Sequence, residues 1–283
     1  MKFSVFTVML PEWDPETAVE KLKNAGYDGV EWRVTNVPEE KKGQQPSFWG
    51  NNLCTIELDE VVDRAEEIRD LTASAGLEIP SLAGYGTVDD FETTQTLLDA
   101  ARIMGAPLVR VGVGGYDPEV GFDALFKKAR RDFEKTAEMA SRAGVKACLE
   151  THMGQIAPSA SAARRVLDGL DPGAVGVIYD PGNMVTEGHE RTRMGLEILG
   201  PYLAHAHAKN GAWVKNENPE PGEHPWSPGH HAALDDGIVD WRQVLADLQA
   251  VGYDGYVSFE DFSSERSTEE KVKFNVEYLR SLL

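Results

Sequence analysis

Short apolar runs alternate with longer amphipathic stretches along the whole chain, and this alternation limits the possible folds more than any other feature. The runs are rich in Val, Ile, Leu and Phe, which suit covered strands, whereas the stretches between them carry apolar residues at helical spacing. Strands that alternate with helices pair in parallel through right-handed crossovers. Eight runs fit this description: KFSVFTVML (2–10), DGVEWRV (28–34), LEIPSLAGYG (77–86), PLVRVGVGG (107–115), VKACLETH (145–152), VGVIYD (175–180), YLAHAHAK (202–209) and YVSFED (256–261).

Eight strand–helix units in 283 residues predict an α/β fold, a single (β/α)8 TIM barrel over residues 1–283, since such barrels take about 250 residues. A doubly wound open sheet is the rival, but no glycine-rich phosphate fingerprint follows the first run. Long loops, residues 35–55 and 210–237, follow the second and seventh runs. They lie at the carboxyl ends of strands, where barrel enzymes build their active sites.

The charge balance and the scarcity of cysteine narrow the class of protein. Asp and Glu number 47 against 28 Lys and Arg, a formal net charge of −19, and an acidic surface repels the phosphate backbone of nucleic acid. The longest apolar runs fall short of the ~20 residues that a transmembrane helix needs. The amino-terminal segment has the pattern of a strand rather than a signal peptide, and the two cysteines, Cys54 and Cys148, are too few for a disulfide framework. We therefore expect a cytoplasmic protein that binds neither nucleic acid nor membrane.

Four of the runs end in residues that can bind a metal ion. Glu150, Asp180, His207 and Glu260 close the fifth to eighth runs. If these side chains point into the barrel, they converge at its mouth, where three carboxylates would repel one another strongly. A divalent cation relieves that repulsion. Taken alone, each carboxylate could be a solvated residue at a strand end, and the histidine could be a hydrogen-bonded core residue. Four consecutive strands that each carry a possible metal ligand at the carboxyl end favour a metal site.

The same segments carry a family resemblance. CLETH, YDPGNM, HAHAKN and VSFED, in this order, resemble the four ligand segments of the xylose isomerase-like TIM-barrel superfamily, and more narrowly its sugar phosphate isomerase/epimerase group. The stretch DDGIVDWRQVLADLQAVGYDGYVSFEDF (235–262) is the most specific match, and NAGYDGVEWRV (24–34) is similar to the first βα return of the family. The resemblance extends over essentially the whole chain.

The resemblance implies that Glu150, Asp180, His207 and Glu260 bind one divalent ion, with manganese expected and magnesium, cobalt or zinc as alternatives. It also implies that Glu150 and Glu260 flank the substrate as an acid/base pair. Many ketose epimerases of the family have Asp-x-x-His after the sixth strand, whereas this chain has Asn183 at the last position. An amide can bind a substrate hydroxyl but cannot exchange protons, so the course of the reaction is left open.

Further residues at the strand ends are candidates for assisting the reaction. His152 and Lys209 lie two positions beyond Glu150 and His207, on the same faces of their strands. Each could act on substrate, or could only hydrogen-bond or ion-pair beside the ligands. Arg110 lies inside the fourth run, where a buried guanidinium needs a partner; it either orients substrate or forms a structural ion pair.

Contacts with substrate are expected from a second group of residues. Asn183, Arg110 and two tryptophans at strand ends or in long loops, Trp32 and Trp213, are the candidate substrate-binding residues, since a sugar offers an apolar face for stacking. Packing is the alternative for each tryptophan. Glu31, at the end of the second run, could bind hydroxyls or be paired.

These residues predict an isomerase or epimerase that acts on a small sugar or keto-sugar. Whether this sugar is phosphorylated is left open. The reaction would abstract a proton next to a carbonyl through a metal-stabilised enediolate. Two other classes fit the same site: a lyase or dehydratase acting on a keto-sugar or 3-keto-glycoside, and a non-catalytic sugar-binding subunit with a vestigial metal site. The apurinic-endonuclease branch of the fold is disfavoured by the acidic surface. The oligomeric state is left open; the long loops offer contact surfaces for a homo-oligomer.

Overall fold

Strands and helices alternate along the chain as the apolar pattern predicts. The structure is a computed structural model that describes residues 1–283, except for the side chain of His230. The strands are β1 (Lys2–Phe6), β2 (Gly29–Val34), β3 (Leu82–Thr87), β4 (Leu108–Gly112), β5 (Lys146–Glu150), β6 (Val175–Tyr179), β7 (Leu203–Ala208), β8 (Asn210–Lys215), β9 (Trp226–Ala232) and β10 (Tyr256–Phe259). The α-helices are α1 (Pro15–Ala25), α2 (Ala65–Ser74), α3 (Phe91–Met104), α4 (Phe122–Ala143), α5 (Ala160–Leu167), α6 (Pro181–Thr186), α7 (Thr192–Leu199), α8 (Trp241–Ala250) and α9 (Thr268–Leu282). Short 3₁₀ helices cover Thr7–Met9 and Gly200–Tyr202.

The parallel strands close into a barrel in the order β1, β2, β3, β4, β5, β6, β7 and β10. β10 returns to β1 with Lys2 opposite Tyr256 and Val5 opposite Phe259, which completes the ring. The predicted TIM barrel is confirmed, and β10 is its eighth strand. Among the helices of the described chain, none combines the length and the apolar character that crossing a bilayer would require.

The stretch after β7 is ordered into a hairpin, which the sequence analysis had treated as a loop. β8 and β9 pair in antiparallel fashion outside the barrel, with Trp213 opposite Pro228 and Lys215 opposite Trp226. Aromatic and β-branched residues favour such strands. A proline is tolerated here because the ribbon has only two strands, so both are edges. The hairpin holds this insertion above the carboxyl ends of β6 and β7, since α6 packs against β8.

Strand β2 shows how side-chain alternation separates the interior from the outer layer. Glu31 points into the barrel, where it meets His205 and His207 of β7. Trp32, the next residue, therefore points outward; it is 0 % exposed, and its indole Nε1 donates to Thr72 Oγ1 of α2 at 3.2 Å. The structure places Trp32 in the layer between sheet and helices, which corrects its expected role in binding substrate.

Replacing Trp32 should therefore affect stability rather than the site. Trp32→Phe removes core volume and the indole hydrogen bond, so we expect the free energy of unfolding to fall by about 1–3 kcal/mol. Trp226→Phe is the control, because Trp226 is 46 % exposed on the hairpin, and its effect should stay within about 0.5 kcal/mol. Denaturant unfolding measures both. Weakened ligand binding by Trp32→Phe at unchanged stability would contradict this assignment.

Candidate metal centre

The carboxyl ends of four barrel strands bring together the four predicted metal ligands. Glu150 ends β5, Asp180 follows β6, His207 lies in β7 and Glu260 follows β10. One potential ligand atom from each of them lies within 4.8 Å of those of the other three, and all four residues are buried. Three carboxylates and one imidazole at this spacing are a donor set that suits a divalent ion.

Asp180 takes its position from a sharp change of conformation at the end of β6. Pro181 occupies the first turn of α6. Asp180 caps that helix, because its Oδ1 accepts a hydrogen bond from the backbone N–H of Asn183 at 3.0 Å. Gly182 passes so close to Lys209 that a Cβ on it would lie 2.6 Å from the Lys209 Cβ. The strand therefore ends in a tight Asp-Pro-Gly-Asn turn that leaves Asp180 Oδ2 facing Lys209 Nζ at 2.8 Å.

Glu150 is held by three donors. Its Oε2 accepts from Arg110 at 2.9 Å, and its Oε1 accepts from Asn183 Nδ2 at 3.1 Å and lies 3.0 Å from His207 Nδ1. Burial raises the pKa of Glu150, but the positive charge of Arg110 and the contact with His207 more than offset this, so its pKa lies well below the usual range. Glu150 is therefore an ionised carboxylate at neutral pH.

Lys209 bridges the other two acidic ligands. Its ammonium contacts Asp180 and forms a close ion pair with Glu260, and it also donates to Asn183 Oδ1 at 3.0 Å. Burial lowers the pKa of Lys209, but the negative charges of Asp180 and Glu260 raise it by more than burial lowers it, so the net shift is upward. Lys209 remains charged and pulls two carboxylates towards one point.

His207 faces the ligand set with one nitrogen and the barrel interior with the other. Nδ1 lies 3.0 Å from Glu150 and 3.4 Å from Glu260, while Nε2 lies 3.1 Å from Glu31 Oε2. The ring of Phe6 stacks on the imidazole at a centroid distance of 5.9 Å. Glu31 is thus paired and fully buried, and of the two roles considered for it in the sequence analysis the paired one is observed.

The charges of this network fit a dication. Its carboxylates are those of Glu31, Glu150, Asp180 and Glu260, and its permanent cations are Arg110 and Lys209. Four carboxylates against two permanent cations leave two negative charges without a fixed partner. Burial lowers the pKa of His207, but Glu31 and Glu260 raise it more, so a proton on this imidazole supplies part of the missing charge in the metal-free protein. Buried charges need compensation, and one divalent ion would supply what is missing.

A cavity of about 490 Å³ opens above the ligands, a size typical of small-molecule sites. Its floor and walls are mixed in character, with charged groups at the bottom and aromatic rings towards the mouth. The polar lining consists of Thr87, Arg110, Glu150, His152, Gln155, Asn183, Lys209 and Glu260, and the aromatic lining of Phe6, Trp49, Tyr85, His231 and Phe262.

The three predicted assisting residues, Arg110, His152 and Lys209, lie on this cavity, whereas two predicted substrate contacts, Trp32 and Trp213, do not. His152 lines the cavity, and its Nδ1 lies 2.7 Å from the Met153 carbonyl oxygen, so that this nitrogen is the donor and Nε2 is left for other contacts. Trp213 lies outside the lining, where its indole donates to the Val185 carbonyl at 2.8 Å and fixes the hairpin to α6. Trp49, from the insertion after β2, reaches the cavity instead.

Three aromatic residues of the cavity, Phe6, Tyr85 and Phe262, were missed in the sequence analysis. Phe262 lies two positions beyond Glu260, the same spacing that singled out His152 and Lys209, so strand alternation could have identified it. Its ring packs 4.7 Å from that of Trp49. Tyr85, in β3, had no comparable signal; it lines the cavity with the guanidinium of Arg110 4.8 Å from its ring centroid.

The family model described as the xylose isomerase-like TIM barrel matches residues 19–282. The chain therefore belongs to this family of α/β barrels, as its segments at the strand ends predicted.

Individual relatives are distant. An inosose dehydratase of Clostridium perfringens is 22% identical over 224 residues, which are 71% of this chain and 73% of the relative. The apo structure of YcjR from E. coli, a 3-keto-D-glucoside 4-epimerase, superposes with a TM-score of 0.72 at 18% identity and 99% coverage of both chains. The structure of the IolI protein with a bound zinc atom gives a TM-score of 0.74 at 15% identity, with 100% and 98% coverage. The fold is shared with epimerases and dehydratases alike.

Removing one acidic ligand should abolish metal binding without disturbing the fold. Asp180→Asn keeps a helix-capping side chain but loses the charge, so we expect Mn²⁺ to bind at least about 100-fold more weakly. This exceeds the loss of metal affinity that is usual when a residue that only hydrogen-bonds to a ligand is replaced. The rise in Tm on adding Mn²⁺ should then disappear. Asp240→Asn, at the exposed cap of α8, is the matched control and should behave as wild type. Equal Mn²⁺ affinity in both variants would refute the site.

Metal affinity should also depend on pH near 6. Burial raises the pKa of Asp180 to about 6, and Lys209 only partly counteracts this. A proton must leave Asp180 before it can bind a cation, so this residue should make the affinity fall about tenfold per unit below about pH 6. Burial lowers the pKa of His207, but Glu31 and Glu260 raise it more, so loss of the Nδ1 proton should add a further rise in affinity with pH above 6. Isothermal titration with Mn²⁺ between pH 5 and 8 measures the profile. A flat profile would show that Asp180 is not a ligand.

Proposed function

We propose that this protein is a divalent-metal-dependent isomerase or epimerase that acts on a small sugar or keto-sugar by moving a proton at a carbon next to a carbonyl. The observation that carries the proposal is the pair of buried carboxylates, Glu150 and Glu260, which belong to the ligand set and also line the cavity floor. A bound divalent ion supplies a Lewis acid that polarises a substrate carbonyl and acidifies the neighbouring C–H bond.

The two carboxylates differ in their surroundings, as an acid/base pair requires. Glu150 is kept ionised by Arg110 and is oriented by Asn183, so it is ready to accept a proton. Glu260 shares a close ion pair with Lys209, whose ammonium can steady a developing negative charge. Proton return to the same carbon from the opposite face gives epimerisation, and return to the adjacent carbon gives aldose–ketose isomerisation.

The cavity favours an uncharged sugar over a sugar phosphate. Arg110 and Lys209 are the lysine and arginine residues of its lining within the described chain, and both are already paired with carboxylates. A phosphate would require a free cation or a cluster of open backbone amides. Trp49 and Phe262 instead offer ring faces that suit the apolar side of a sugar.

A dehydratase or lyase acting on a keto-sugar is the second candidate. Two observations favour it: the relative from Clostridium perfringens is an inosose dehydratase, and His152 lies on the cavity with Nε2 uncommitted. The same first proton abstraction would be followed by loss of a β-hydroxyl group as water, which needs an added acid such as a protonated His152. Asn183 cannot act as this acid, because its amide does not exchange protons.

Isotope exchange separates these reactions. The Mn²⁺-loaded protein is incubated with a panel of ketoses, keto-sugars and 3-keto-glycosides in deuterated water, and mass spectrometry and NMR locate the label. We expect deuterium at one carbon of the recovered sugar or its epimer. Loss of water or of an aglycone would instead support the lyase. Absence of label and of elimination in a metal-loaded protein would favour a non-catalytic binding subunit.

The acid/base pair is tested by neutralising each member. Glu150→Gln and Glu260→Gln should slow exchange by at least about 100-fold, the usual size of acid–base contributions. Metal content is measured in the same samples, because both residues are also ligands, and rates are compared at saturating Mn²⁺. Glu134→Gln, on the exposed surface of α4, makes the same charge change and should leave the rate unchanged. Full activity of either cavity variant would exclude that residue from proton transfer.

A further inference from the structure

Glu31 is a carboxylate buried inside the barrel beneath the ligand set. It is 0 % exposed, and its Oε2 lies 3.1 Å from His207 Nε2 and 3.2 Å from His205 Nε2. It is not among the residues that line the cavity. Glu31 therefore acts on the site through histidine rather than by contact with substrate.

The contact with Glu31 determines which nitrogen of His207 carries the proton. An ionised carboxylate only accepts hydrogen bonds, so the contact with Glu31 requires a proton on His207 Nε2, and the equally short contact with Glu150 requires one on Nδ1 while no metal is bound. A divalent ion held by Glu150, Asp180 and Glu260 would take the place of the Nδ1 proton, whereas Glu31, on the other side of the ring, would keep the proton on Nε2. Nδ1 is the atom that faces Glu150 at 3.0 Å and Glu260 at 3.4 Å, so the tautomer and the direction of the ligand set agree.

His205 fixes the carboxylate from the other side. Its ring stands nearly perpendicular to that of His207, at 84° with centroids 5.4 Å apart, and it is 1 % exposed. The second oxygen of Glu31, Oε1, has no hydrogen-bond partner among the described side chains. Among those side chains, the two imidazoles are thus the hydrogen-bond partners of Glu31.

Burying the carboxylate of Glu31 is not explained by the stability of the fold. A buried charge in the interior is at best neutral for stability, and an apolar or uncharged replacement of similar size is often no worse. The carboxylate therefore contributes something that packing does not need. We propose that Glu31 is a positioning residue that holds His207 in the Nε2–H tautomer, so that Nδ1 is the atom that binds the divalent ion.

This inference builds on the metal-binding function proposed above, and metal affinity tests it. Glu31→Leu should weaken Zn²⁺ or Mn²⁺ binding about 10–100-fold, as loss of an outer carboxylate partner typically does, without loss of thermal stability. Glu31→Gln retains an oxygen that accepts from Nε2–H and should recover most of the affinity. Ser4→Ala is the matched control, since Ser4 is also buried and its hydroxyl has no partner among the described side chains. Chelator competition gives the affinities, and circular dichroism checks folding.

Nitrogen-15 NMR of histidine-labelled protein gives a readout that does not depend on activity. In the Zn²⁺-loaded wild type we expect the proton on Nε2 and the metal on Nδ1 of His207, and a mixed tautomer population in Glu31→Leu. Metal bound to Nε2, or unchanged affinity and tautomer in Glu31→Leu, would overturn the inference. A wild type that binds no divalent ion would instead overturn the proposed function, and the tautomer in the same spectra would still test Glu31.

Discussion

Mutual repulsion of buried carboxylates is the constraint on which the rest of this structure depends. Glu31, Glu150, Asp180 and Glu260 occupy one connected network at the mouth of the barrel. Such groups are stable in the interior only when opposite charge compensates them. The fixed cations Arg110 and Lys209 together with one dication would complete that compensation.

The barrel provides the rigidity that this chemistry needs. Each ligand comes from a different strand, so none can move without disturbing a ladder of parallel hydrogen bonds. Supporting contacts are also local: the turn after β6 fixes Asp180, and Asn183 joins Glu150 to Lys209. The aromatic lining is of mixed origin: Phe6 and Tyr85 belong to β1 and β3, whereas Trp49, His231 and Phe262 lie outside the barrel ladder. Loops around a rigid barrel vary more readily than its strands, which is consistent with a fold shared by epimerases and dehydratases.

Asn183 illustrates how one departure from the family pattern changes the interpretation of a site. In the structure its amide donates to Glu150 and accepts from Lys209, and it lies at the cavity wall. It therefore links the base to the cation, and it can take no part in proton exchange. An acid beyond the carboxylate pair would have to come from elsewhere on the wall, where His152 and His231 are the imidazoles of the described lining.

The sequence by itself determined the barrel and its ligand set, because both follow from local periodicity. Period-two alternation places His205 and His207 on one face of their strand, and a strand that ends in Asp-Pro must turn at Asp180; convergence of the ligand set then required only that these faces point inward, as the structure shows. The tertiary structure alone decided the remaining roles. Alternation requires that Glu31 and Trp32 face opposite ways but cannot say which faces inward, and a long insertion carries no period that distinguishes Trp49, at the cavity, from Trp213, on the hairpin. Those choices depend on contacts between segments distant in the chain, which a local pattern does not encode.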